Sequence, residues 1–273
     1  MRTRDRLWVG FLAVLAVLIW LRDRSWFDSA EEALPALAAL PLFCWMGTPW
    51  NWFGTGRTST DSDPSPRILG AAFLALLLGV SLNITLLLAL GWTAALWAWL
   101  KSAVPAEDHQ RLFRLLVLPF VAFPWITLDL QPLGWWFRLS GAWASELVLS
   151  FTGLDVSRQG TQMLVQGMPV SVDISCSGLK VLQSLLVAGT LLAYSLLGRT
   201  RRYWWNVALL LPVAWIANTA RVLTISLAAM TFGPEFAMGV FHSWGGLMVL
   251  MLMFLGSYFL FRWQNSQERS LVI

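Results

Sequence analysis

Three short stretches, Ser175-Cys176-Ser177-Gly178, Asn218-Thr219-Ala220-Arg221 and Phe241-His242-Ser243, carry a thiol, a guanidinium and an imidazole beside successive apolar segments. A thiol at the start of a helix faces backbone N–H groups that lack intrahelical partners. With a nearby arginine, these lower its pKa from about 8.5 into the neutral range. Cys176 directly precedes an apolar run and so has the position of a nucleophile. Arg221 lies inside an apolar segment, where a charge costs about 2.5–3.5 kcal/mol on insertion scales and is usually paired or functional. His242, with an ordinary pKa of about 6.5, suits proton exchange near neutrality. Nucleophile, oxyanion cation and proton carrier are the parts that cysteine-dependent acyl transfer needs.

Supporting roles fall to the neighbours. Asn218 is one turn before Arg221 on the same helix face and is placed to hold Arg221 or a substrate backbone. Gly178 lets a substrate backbone come close, and Ser175 or Ser177 is placed to cap the following helix. Plainer readings stand beside these: Cys176 as one more small buried residue, Arg221 as a side chain snorkelling to headgroups. Cys44, in an apolar run without polar neighbours, reads as buried and inert, and His109, in a charged loop, as solvated surface. One cysteine and one histidine offer too few ligands for a metal, and nothing implies a cofactor.

What must position these residues is a membrane scaffold. The chain has 273 residues, is 57% hydrophobic and 12% charged, and carries 18 tryptophans, which favour the boundary between acyl tails and headgroups. The net charge of +4 is spread over short loops, which fits topology rather than nucleic-acid binding. Two dissimilar cysteines do not make a disulfide framework. A basic N-terminus before an apolar run, with no small-residue cleavage site after it, reads as an uncleaved span.

The expected fold is an all-α membrane protein of about eight transmembrane helices, in one embedded domain over 1–273. The expected spans are Leu7–Leu21, Ala33–Phe53, two from the run Ile68–Leu100, then Leu115–Leu130, Leu179–Leu197, Trp204–Ala229 and Trp244–Phe261. The run Ile68–Leu100 would overshoot a bilayer by about 20 Å as one helix, so a tight turn is expected at Gly79–Asn83. Pro119 and Pro124 are expected to kink the fifth span, and Gly54–Arg67 to be a solvated loop. Before the sixth span, Trp135, Trp136, Leu139, Trp143, Leu147 and Phe151 recur at helical intervals and predict an amphipathic helix on the extracytoplasmic surface. A short β-hairpin should follow, pairing Leu154–Ser157 with Met163–Val172 across Arg158-Gln159-Gly160.

With a cytoplasmic N-terminus, thirteen lysines and arginines fall in inside loops and four, Arg22, Arg24, Arg138 and Arg158, outside. Both termini are then cytoplasmic. Cys176, Arg221 and His242 all reach the outer face of the cytoplasmic (inner) membrane, one on each of the last three spans.

The stretches Cys176-Ser177-Gly178-Leu179-Lys180 and Asn218-Thr219-Ala220-Arg221, and His242 before the last span, resemble the exosortase and archaeosortase transpeptidases. The similarity reaches upstream through Leu130-Gln131-Pro132-Leu133, so a catalytic half of about 115–265 is implied. That resemblance implies catalysis by Cys176, Arg221 and His242. It also implies exported protein substrates ending in a short Pro-containing motif, a transmembrane helix and basic residues, cleaved at the outer face and handed to a surface acceptor. Two other classes fit parts of the pattern. A membrane acyltransferase would load lipid on the same cysteine, and a transporter or assembly factor would use Arg221 for an anion or pair it with Asp173.

Overall fold

The computed structural model describes residues 3–23, 30–50, 65–172, 177–237, 239 and 242–270, with the backbone alone at 4, 30–36, 234, 242–246 and 268–270. The chain divides into two compact units, 1–129 with 190–203, and 130–189 with 204–273. Each is helical at its core.

The first unit begins with α1 (Thr3–Leu21) and α2 (Ala30–Met46), then α3 (Pro66–Leu82) and α4 (Thr85–Lys101). The long apolar run breaks where expected. Asn83 takes the left-handed conformation at φ 59° and ends α3, and the N–H of Ile84 donates to the Gly79 carbonyl at 3.0 Å. Asn tolerates that conformation better than other residues with a side chain, so the break is written locally. The hairpin closes tightly at glycine. A Cβ on Gly91 would lie 2.8 Å from the Ala72 carbonyl oxygen. α1 lies along this hairpin, its two ends tied by side chains. Arg22 donates to Asn83 at one end, and the Trp99 indole donates to Asp5 at 3.3 Å at the other.

Leu115–Leu130 differs from the single kinked span expected. It forms parts of three short helices, α5 (His109–Leu115), α6 (Val117–Ala122) and α7 (Trp125–Asp129). Phe123 is extended with ψ 145°, as the residue before a proline must be to clear the Pro124 ring. Pro119 sits in the first turn of α6, where its missing N–H is harmless. His109 is also not simply solvated: its Nε2–H donates to the carbonyls of Lys101 and Val104, both at 3.1 Å, at the end of α4. Cys44 is exposed on α2 rather than buried. Asn51–Pro64, most of the expected loop, lies outside the described residues.

In the second unit α8 (Gln131–Phe151) ends at Thr152-Gly153, where Gly153 has φ 85° and the N–H of Leu154 reaches back to Leu149. This is the glycine-terminated cap such a boundary predicts. The hairpin is corrected to a three-stranded antiparallel sheet, β1 (Val156–Gln159), β2 (Gln162–Val165) and β3 (Met168–Ser171). The expected second arm folds on itself because Gln166 and Gly167 both adopt positive φ, 52° and 78°, which makes a two-residue turn. Met163 and Val165 of β2 are buried with Ala142 and Leu149 of α8. Arg158 Nε donates to Glu146 at 2.7 Å, tying sheet to helix.

α9 (Leu179–Leu197) links the units, followed by α10 (Tyr203–Phe232), a single turn α11 (Pro234–Phe236) and α12 (His242–Ser270). Among the described residues three helices, Leu179–Leu197, Tyr203–Phe232 and Leu247–Gln267, are long and apolar enough to cross a membrane. Leu37–Met46, Pro66–Leu82 and Thr85–Lys101 are apolar but shorter. Buried Asn206 donates to Gln264 at 2.7 Å, joining α10 to α12. Gly189 gives α10 room, for a Cβ there would come within 2.5 Å of Leu210.

The glycine contact in the first hairpin is testable. Gly91→Ala gains helix propensity but drives a methyl into backbone atoms, for an expected net loss of about 1–2 kcal/mol. Gly70, with nothing within 4 Å of its Cβ position, is the control. Thermal unfolding in detergent should show a lower midpoint for Gly91→Ala and no loss for Gly70→Ala. Equal midpoints would mean the helices do not approach at Gly91.

Candidate functional site

Glycine 178 holds the site together. Its φ of +75° turns the chain into α9 through a conformation that side-chain-bearing residues rarely take. A Cβ there would sit 2.9 Å from both Asn218 Cγ and Phe137 Cδ2. The freedom of this glycine therefore serves a contact inside the protein, where the sequence suggested room for a substrate backbone. Ser177 is buried beside it, and Lys180, one turn into the motif, is exposed.

Each neighbour comes from a different element. Asn218 and Thr219 lie midway along α10 and are buried, and Arg221, half-buried, follows Asn218 by three residues on the same side. Phe137 and Gly134 come from α8. A Cβ on Gly134 would lie 3.2 Å from Ser177 Cβ and 3.0 Å from Leu179 Cδ1. Gly141 brings α8 against the Thr219 hydroxyl, 3.6 Å from its Cβ position. The indole N–H of Trp215 donates to Ser140 at 2.8 Å and fixes the rotation of α8 on α10. Three elements thus converge at Ser177-Gly178.

α8 presents two faces. Trp135, Trp136, Trp143, Leu147 and Phe151 are exposed, as the surface-helix expectation requires. The opposite face, Gly134, Gly141 and Ser145 with Phe137, is buried. Sequence reasoning read only the first. The signal for the second was the spacing of small residues at positions 134, 141 and 145, which the aromatic pattern overshadowed.

The structure brings together Ser177, Gly178 and Asn218, with Arg221 one turn along the same helix. Cys176, with Ser175 and Asp173, lies outside the described residues. His242 opens α12 as a helical residue, and its side chain is likewise outside them. Among the described residues no cluster of three or more His, Cys, Asp or Glu is placed to hold a metal.

A sequence model of the transmembrane exosortase family matches residues 6–259, a span that includes all three motif stretches. No curated protein and no solved structure matches the chain.

The clamp at Gly178 predicts a graded response. At φ +75° any L side chain costs about 1–2 kcal/mol of backbone strain, and Gly178→Ala adds overlap with Asn218 and Phe137. Gly153→Ala meets only the strain, since its φ is +85° and its Cβ position is open. Unfolding midpoints should rank wild type, Gly153→Ala, Gly178→Ala in falling order. A Gly178→Ala protein as stable as Gly153→Ala would show that the clamp is not packed.

Proposed function

The chain belongs to the transmembrane exosortase family, and from that premise we propose that it is a membrane-embedded cysteine transpeptidase that cleaves C-terminal sorting signals of exported proteins. The observation that carries this reading is the Gly178 contact. It sets the segment that continues directly from Cys176 against Asn218, one turn from Arg221, so two of the motifs that chemistry requires meet in the fold.

The proposed reaction runs through an acyl-enzyme. The Cys176 thiolate adds to the scissile carbonyl carbon, and the negative charge passes to the carbonyl oxygen, which the Arg221 guanidinium stabilises. Collapse breaks the C–N bond while His242 gives its proton to the leaving amine, which departs with the transmembrane helix and basic tail of the signal. A thioester to Cys176 remains. An acceptor nucleophile, or water, loses its proton to His242 and attacks the thioester carbonyl, and the thiolate leaves. Asn218 holds Arg221 or the substrate backbone in place, and Gly178 fixes the turn that presents the nucleophile.

About eight crossings complete the proposed topology, with both termini cytoplasmic and the site at the extracytoplasmic face. The thirteen-to-four distribution of loop cations supports that orientation. The same rule keeps the substrate's basic tail in the cytoplasm, so the scissile bond meets the enzyme at the outer face. Apolar helices and the exposed aromatic face of α8 support burial in lipid.

The test is processing of a tagged substrate that ends in a Pro-containing motif, an apolar helix and an Arg cluster. Wild type and Cys176→Ala, Arg221→Ala and His242→Ala are compared at matched expression. All three substitutions should abolish the shortened product, a loss of at least 100-fold. Hydroxylamine should release the trapped intermediate from wild type as a thioester would. Processing that survives Cys176→Ala removes the nucleophile and with it the proposal.

A further inference from the structure

α8 carries an arginine that the mechanism does not use. Arg138 was counted as one outside loop cation among four, yet it lies inside a helix. At 3.6 residues per turn, the buried residues Gly134, Phe137, Gly141, Ala142, Ser145 and Leu149 occupy an arc of about 140°, and Arg138 falls within it. The exposed aromatics Trp136, Trp143 and Phe151 fall outside that arc. Position 138 is one turn from Gly134, the residue that touches Ser177 and Leu179. The guanidinium therefore belongs to the face of α8 that packs on the nucleophile segment.

Its donors are not used up. Arg138 Nε is buried and, among the described residues, has no hydrogen-bond partner. The guanidinium stacks over the Trp135 ring at 5.3 Å, which steadies it without consuming an N–H. Two further polar atoms on this seam are in the same condition. Ser145 Oγ, fully buried, and Thr219 Oγ1, across from Gly141, are also without partners among the described residues. A buried donor left unsatisfied costs about 1–3 kcal/mol, and more when charged. Such donors in a row beside a reactive segment point to a ligand with acceptor atoms.

We propose that Arg138 is a specificity-determining residue that binds a carboxylate side chain of the substrate polypeptide close to the scissile bond. The inference rests on the peptidase reading above and deepens it. The planar fork of arginine matches a carboxylate with two parallel N–H···O bonds, and the buried setting makes the pair stronger than one at the surface. A lipid phosphate is the other anion at hand in a membrane. Headgroups would meet the aromatic side of α8, whereas Arg138 lies on the side that faces Ser177 and Asn218.

The experiment uses the full chain with Cys176→Ala, in nanodiscs of either phosphatidylcholine alone or with one third phosphatidylglycerol, so that capture is read without turnover. The probe is a tagged sorting-signal peptide in which each Asp and Glu before the apolar helix is changed in turn to its amide. With Arg138 present, one change should weaken photocrosslinked capture at least 10-fold. In the Arg138→Gln protein that change should have no further effect, and Arg138→Lys should be intermediate. Each variant is first checked for a monodisperse elution profile.

Additive losses, or a peptide series in which no carboxylate matters even with Arg138 present, overturn the proposal. Capture that follows phosphatidylglycerol content and ignores the peptide series assigns Arg138 to lipid, and overturns it too. In wild-type protein the expected pattern is a raised KM with kcat little changed on loss of the carboxylate. Discrimination without any cleavage by Cys176 would sink the peptidase reading and leave Arg138 standing. Cleavage without discrimination would do the reverse.

Discussion

The left-handed turn at Gly178 is the constraint on which the second unit depends. It lets the chain enter α9 with no side chain between Asn218 and Phe137, so α8, α9 and α10 can close on one point. A membrane protein gains little from hydrophobic association between helices, because lipid is as apolar as a leucine side chain. Close approach at small residues and buried hydrogen bonds do that work instead. Gly134 against Leu179, Gly141 against Thr219 and Gly189 against Leu210 are the approaches. Trp215 to Ser140 and Asn206 to Gln264 are the bonds.

The first unit obeys the same rule with different residues. Breaking a helix within the bilayer exposes backbone groups that only protein can satisfy. At Asn83 the freed Ile84 N–H returns to Gly79, and Arg22 covers the Asn83 side chain. At the end of α9, the Gly198 carbonyl accepts from Arg114 at 2.8 Å, while the Tyr203 hydroxyl donates to the Arg114 carbonyl at 2.8 Å. Arg114 is buried, so this loop cation serves as a structural clamp as well as a topological marker.

Long apolar segments between polar punctuation were fully legible in the sequence. α9 occupies Leu179–Leu197, the expected residues, and the 68–100 run splits at Asn83 because length alone forbade one helix. What escaped were features set by partners. A positive φ at Gln166 has no compositional mark beyond the glycine after it, so one strand was read where two exist. Leu115–Leu130 looked continuous because hydropathy is blind to the extended Phe123 that Pro124 enforces. Counting charges per loop assigned Arg114 and Arg138 to a side of the membrane, but direction around a helix was the informative quantity. At the site, the motif residues Ser177, Gly178 and Asn218 were legible by type. Phe137 and Gly134 were not, because they lie about 40 positions upstream of Gly178, on a helix whose aromatic face dominated the reading.

Along α10 the polar groups divide by purpose. Near its start Asn206 is bonded to Gln264, a tie that fixes α12. Thirteen residues later, roughly 20 Å at 1.5 Å per residue, Thr219 keeps a buried hydroxyl without a partner among the described residues, facing α8 with Ser145. A protein under selection for stability alone would have bonded or replaced such groups, since removing both polar partners from an apolar setting is close to neutral, whereas leaving one unsatisfied is not. Keeping them at the end where Ser177 and Gly178 meet Asn218 makes that end polar, tightly packed and incomplete, a condition that a bound peptide, rich in carbonyl acceptors, would relieve. Stability resides at one end of the helix so that the other end can wait for substrate.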